Sequence, residues 1–304
     1  MDEVAGQTSR AVVRGSEWER EMSGTDKALM QELLCIADTD WVLGHWYIKV
    51  MLNGRSLPDC TAFAGMGQDS LGHTRAIFRL LEDRLGLPEH QLEFGRQPSE
   101  LHDLEALSLP PQNWGDFLVT AFLAECAVWR LLSTFLEGSD KALSGMVKHF
   151  GKELYFHRLG LEGWMTATSN EEQDDMRQSL AIRGPTVARW FGDVAAADLL
   201  LDAGIRAASL ESARSGFIDD VVDVLAQATG LEPTEIQSKL RCECPDDWDS
   251  VRRKCRGATV PPTLWEFMVP TDPDTVTLRR PLAVSVDDNL DLVDRAEYSH
   301  TDYA

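Results

Sequence analysis

The chain has 304 residues, with 50 Asp and Glu against 29 Lys and Arg, a formal net charge of −21 and 43% hydrophobic residues. A chain of this length and apolar content buries a core without disulfide or metal staples and is too apolar for wholesale disorder. The acid excess argues against nucleic acid and anionic membranes as partners, because phosphate binding draws its affinity from clustered Lys and Arg. The cations are 7 Lys and 22 Arg, a balance found in salt-adapted proteins and in products of high-GC genomes alike.

The N-terminal stretch MDEVAGQTSRAVVRGSEWERE lacks the apolar segment of a signal peptide, and no run of 18 apolar residues occurs, so a cytoplasmic location is expected. Of the six cysteines, Cys35, Cys60 and Cys126 fall in apolar runs, where reduced thiols act as small hydrophobes. Cys242, Cys244 and Cys255 come closest to a metal motif but lack the paired spacing of a zinc site.

Residues 1–24 are polar and read as a flexible arm. Thr25 is positioned to cap a first helix, whose apolar positions Leu29, Leu33, Ile36, Ala37, Trp41, Leu43 and Ile48 recur at steps of three and four up to the Asn53-Gly54 turn. A second helix is expected from Asp59 to Leu85, stopped by Gly86 and Pro88. The stretch from Pro88 to Pro111, with breakers at both ends, reads as a long surface connection. Helices three and four are expected from Trp114 to Glu137 and from Asp140 to Ala167. Further helices follow over Glu171–Trp190, Val194–Ala203 and Leu210–Ala228. Residues 242–304, Pro-containing and acidic, read as an extended irregular tail that lies on a partner or on the bundle.

No alternating strand pattern interrupts the helical segments, so the fold class is all-α. Two long helical hairpins joined by one long crossover match a ferritin-like four-helix bundle spanning residues 25–241, with additional C-terminal helices.

Each core helix carries a carboxylate within an otherwise apolar run: Asp40, Asp69, Glu125 and Glu153. A bare buried charge costs several kcal/mol, so such residues need partners. His73 and His157 follow Asp69 and Glu153 by four residues, on the same helix face. The separations Asp40 to Glu125, Asp69 to Glu153 and His73 to His157 are 85, 84 and 84 residues, the signature of an internal duplication. Four carboxylates and two imidazoles make up the ligand set of a di-iron or di-manganese bundle, a centre that activates dioxygen. The same six residues can instead form a paired polar core without metal. The ordinary bundle motif places Glu three residues before His, where this chain has Ser70 and Leu154, and leucine binds no metal. His149, one turn before Glu153, is a spare donor or a surface residue.

The segments DTDWVLGH, GQDSLGHTRAIFRLLEDRLG, NWGDFLVTAFL and GKELYFHRLGLEGW resemble the four core helices of the phenylacetate-catabolism oxygenase family, the ferritin-like subunits of the ring 1,2-phenylacetyl-CoA epoxidase. The stretch from GPTVARWFGDV to VVDVLAQATG is similar to the C-terminal part of that complex's structural subunit, and the resemblance covers roughly residues 25 to 230. The family has a catalytic di-iron subunit and a structural subunit that has lost ligands. The catalytic pattern, carried over, falls on Asp40, Ser70, His73, Glu125, Leu154 and His157, of which this chain keeps four. It has Asp where the catalytic subunit has Glu in helix one, and Glu where that subunit has Asp in helix three. Loss of both motif glutamates resembles the structural subunit, whereas His73 stands where that subunit usually has glutamine.

The resemblance implies a subunit of an oxygenase complex that inserts one oxygen atom into the ring of an aromatic CoA thioester. NADPH, flavin and an iron-sulfur centre would sit on a separate reductase, and the partner of this chain would be the catalytic ferritin-like subunit. If the chain's own site is alive, two Fe ions would be held by Asp40, Asp69, His73, Glu125, Glu153 and His157. Trp41, Trp46, Trp114, Trp129 and Trp164 are expected in or beside the core rather than stacked on substrate. Arg75, Arg79, Arg84 and Arg158 are candidates for CoA phosphates, or else surface ion-pair partners.

Overall fold

A computed structural model describes residues 22–241 and 243–269. The first two core helices are α1 (Gly24–Val50) and α2 (Leu57–Leu85), a hairpin closed by a 3-10 turn over Met51–Asn53. Its caps are chemical: the Ser23 hydroxyl accepts the Asp26 N–H, and the Ser56 hydroxyl accepts the Asp59 N–H. Ser23 therefore takes the role expected of Thr25, and α2 begins two residues early because Pro58 fits its first turn. Gly86 ends α2 in the left-handed region (φ 69°), as the sequence indicated.

The second hairpin is α4 (Trp114–Ser133) and α5 (Lys141–Thr166), capped by Asn113 and Asp140. The four form a bundle in which α1 packs on α2 and α4, and α5 packs on α4 and α2. The crossover runs through a short α3 (Glu89–Phe94) and two 3-10 turns, Pro98–Glu100 and Glu105–Ser108.

That crossover is no surface loop. Leu101, Leu104, Ala106 and Leu107 are buried, and so are Asp103 and His102. The reason lies in α1, which is buried on nearly all sides from Leu29 to Tyr47, polar residues included. Asp38 pairs with Arg96 at 2.5 Å and accepts the His102 N–H, while Thr39 accepts the Leu104 N–H. The polar side of α1 thus satisfies the backbone of the crossover, which a hydrophobic-periodicity reading assigns to solvent.

Beyond the bundle come α6 (Asn170–Arg189), α7 (Leu199–Asp202), α8 (Leu210–Thr229) and α9 (Pro233–Lys239). α6 and α8 pack on α4, which explains why α4 has no exposed face. α7 is one turn, shorter than the expected Val194–Ala203, because Asp198 caps it through the Leu200 and Leu201 N–H groups. α9 was not anticipated.

The expected extended tail is in part folded. β1 (Trp248–Asp249) and β2 (Lys254–Cys255) pair antiparallel, and α10 (Pro262–Met268) follows. Its anchors are charges as much as apolar contacts. Lys254, fully buried, reaches Asp103 at 2.6 Å, and Arg253 reaches Glu32 on α1 at 2.7 Å. Trp265 packs edge-on against Trp41. The arm expected over residues 1–24 and the tail beyond residue 269 fall largely or wholly outside the described residues.

Candidate polar centre of the bundle

All six sequence candidates meet inside the bundle, arranged as two relays of acid, imidazole and acid. In the first, His73 on α2 has Nδ1 3.4 Å from Asp40 on α1 and Nε2 2.7 Å from Glu153 on α5. In the second, His157 on α5 has Nδ1 3.0 Å from Glu125 on α4 and Nε2 3.2 Å from Asp69 on α2. Exchanging the two hairpins maps one relay onto the other, so the duplication read from spacing is also a symmetry of contacts.

The inner acids and both histidines are buried, whereas Asp69 is 41% and Glu153 29% exposed. This difference follows from topology: α1 and α4 are wrapped by other elements, while the α2–α5 seam is open on one side. Burial works against protonation of His157, but Glu125 and Asp69 outweigh it and hold its imidazole up to about 9. Burial likewise opposes protonation of His73, and Asp40 and Glu153 more than offset it, so its value is raised. Burial pushes the Asp40 carboxyl up, an effect that His73 reduces.

Sequence reasoning missed two neighbours. The Tyr47 hydroxyl donates to Glu125 Oε1 at 2.8 Å, and burial followed by the Glu125 charge lifts its ionisation well above the tyrosine range. Phe150 lies against the His73 ring at a centroid distance of 4.0 Å. Tyr47 falls seven residues after Asp40, two turns along the same helix face, and that spacing was the available signal.

The donor set does not fit a two-iron centre as arranged. Each imidazole has a carboxylate near both ring nitrogens, at 2.7 to 3.4 Å. Ser70 turns its hydroxyl back to the Met66 carbonyl at 2.9 Å, and Leu154 is part of the apolar core. Among the described residues no three His, Cys, Asp or Glu side chains are grouped as a metal site. Asp40 Oδ2 and Glu125 Oε2 are buried without a hydrogen-bond partner. His149, largely exposed, lies 3.4 Å from Glu153.

The secondary candidates sort cleanly. Trp41, Trp46 and Trp114 are buried, and Trp129 and Trp164 half-buried. Arg75 and Arg79 pair with Glu89, Arg84 with Asp140 and Arg158 with Asp220. Cys35 and Cys126 are buried free thiols, Cys60 is half-buried, and Cys244 and Cys255 are free, with Cys242 outside the described residues. Among the described residues no helix is long and apolar enough to cross a membrane.

Residues 12–246 match the family model described as phenylacetic acid catabolic protein. A search of curated proteins found no match.

Proposed function

Since the chain belongs to the phenylacetic acid catabolic protein family, we propose that it is a subunit of a phenylacetyl-CoA 1,2-epoxidase-type ring oxygenase, the structural ferritin-like partner of the di-iron subunit. In this reading the chain contributes binding surface and not chemistry. The aromatic CoA thioester is oxidised at the partner's centre, and electrons come from NADPH through a separate reductase carrying flavin and an iron-sulfur centre.

The observation that carries the reading is the pair of relays. Where an oxygen-activating bundle needs two bridging carboxylates, this chain has Ser70 and Leu154, and His73 Nε2 and both nitrogens of His157 are engaged by carboxylates. A polar network of this kind fixes the register of four helices without catalysing anything. The test is iron content after anaerobic Fe(II) loading and desalting, followed by co-purification with a co-expressed di-iron paralogue. The reading expects no retained iron and a stable hetero-oligomer, and it fails if the chain never pairs.

One observation favours a second reading, a di-iron centre with a modified ligand set. The unpartnered oxygens of Asp40 and Glu125 are both buried in the bundle. About two irons per chain, lost on His73→Ala, would establish it.

A further inference from the structure

Helix α5 carries a stripe that the polar centre does not use. Its inward side is Leu143, Val147, Phe150, Leu154, His157 and Leu161. At 100° per residue, Lys148, Lys152, Tyr155, Leu159 and Glu162 fall within about 80° of one another on the opposite side, with Phe156 and Gly163 at its edge. Tyr155 is 55% exposed, Phe156 67% and Leu159 50%, a concentration of large apolar side chains that scattered surface hydrophobics do not produce. The rings of Tyr155 and Phe156 already meet edge to face at 5.3 Å.

Charge along the stripe is ordered. Lys148 and Lys152, two of only seven lysines in a chain of net charge −21, precede the apolar patch, and Glu162 follows it. Basic, apolar, acidic is a self-complementary sequence when two such helices lie antiparallel. The apolar patches then coincide, and each Lys152 faces the Glu162 of the other copy. Gly163 adds room beside the patch, because a Cβ built there would meet nothing within 4 Å. Of the other core helices, α1 is buried on nearly all sides, and α4 is covered by α1, α5, α6 and α8.

We propose that α5 is a self-association surface of this chain, on which a second copy packs antiparallel with Tyr155 and Leu159 at the centre, Phe156 flanking them, and reciprocal Lys152–Glu162 pairs at the ends. Two copies related by a two-fold axis bury the same patch on each, the commonest oligomer symmetry. The contact is one helix face about 24 Å long, given the 1.5 Å rise over 16 residues, so association is of the weak, concentration-dependent class.

Sedimentation equilibrium of the full chain over a range of concentrations, with helicity monitored by circular dichroism, tests this. The wild type is expected to dimerise, Phe156→Asp and separately Leu159→Lys to weaken the dimer about tenfold or more, and Lys152→Glu or Glu162→Lys to weaken it a few-fold. The double variant Lys152→Glu with Glu162→Lys should recover most of that loss. A chain that stays monomeric at about 100 µM, a dimer indifferent to Phe156→Asp and Leu159→Lys, or a double variant no better than its parents overturns the proposal. Binding through α5 only to a different family bundle overturns it too.

Discussion

Glu153 of α5 and His73 of α2 meet at 2.7 Å across the seam between the two hairpins, and exchanging the hairpins turns that contact into the one between Asp69 and His157 at 3.2 Å. Each relay therefore takes an inner acid and an imidazole from one hairpin and its outer acid from the other. The hairpins are tied reciprocally, and neither imidazole keeps a nitrogen away from a carboxylate.

If these ties and not a metal hold the centre, removing divalent ions will not change stability. Thermal unfolding with excess chelator, and again after Fe(II) loading, should give the same Tm within about 1 °C. A ligand bound to the folded state alone would raise it in proportion to the logarithm of its concentration over Kd. A chelator-induced fall of several degrees would show that an ion occupies the bundle.

Tyr47 provides a second measure. Its hydroxyl is a donor to Glu125, and Glu125 Oε2 already lacks a hydrogen-bond partner. Tyr47→Phe keeps the ring, which stacks on Phe63 at 6.0 Å and meets Phe117 edge-on, and removes only the donor. The expected cost is about 1.5–3 kcal/mol, as for a hydrogen bond to a charged group, read by urea unfolding with an unchanged m-value. A neutral effect would mean that His157 alone satisfies Glu125.

Much of this centre is legible in the sequence and some of it is not. Asp40, Asp69, His73, Glu125, Glu153 and His157 can be picked out because each interrupts an apolar run and because their separations repeat at 84 and 85 residues. The core helices were found by periodicity to within a few residues at each end. What failed was the assignment of the connection from Pro88 to Pro111 to the surface. Asp38 sits on the far side of α1 from the relays and Glu32 about 80° around the helix from Asp40, and both are covered from distant sequence, Asp38 by the crossover and Glu32 by Arg253. One-dimensional patterning has no access to a cation 221 positions away. Equally, α10 was missed because seven residues between prolines and acids show too little periodicity for a helix.

Glu32 on α1 predicts a pH response. Burial alone would raise the Glu32 carboxyl, but Arg253 and Arg206 reverse the effect and bring it down to about 2. A folded value below the unfolded one contributes stability that is complete above the ordinary glutamate range, near 4.5, and is lost as pH falls toward 2. Glu32→Gln should cost on the order of 3 kcal/mol at pH 7, since its loss leaves Arg206 and Arg253 buried around a neutral amide. The difference between variant and wild type should shrink steadily from pH 5 to pH 3 in urea titrations. A constant gap over that window would place the Glu32 contribution in packing instead of charge.

The Lys254–Asp103 pair separates charge pairing from packing most directly. Both side chains are fully buried, and they meet at 2.6 Å. They join β2 to the crossover, so the pair is a clamp on the segment that follows the family match at residue 246. Asp103 is raised by burial, an effect the Lys254 ammonium opposes, so either partner alone is a poor tenant of this site. Lys254→Met alone, or Asp103→Leu alone, should cost about 3–5 kcal/mol, because each strands a charge in the interior. The double variant, Lys254→Met with Asp103→Leu, should cost far less than the sum and come close to wild type, since a buried pair of similar volume can be replaced by apolar groups at little net loss. Denaturant unfolding of the four proteins closes the cycle. Additive losses would mean that the ammonium and the carboxylate stabilise the clamp separately, through the backbone around each, and that their mutual attraction contributes nothing.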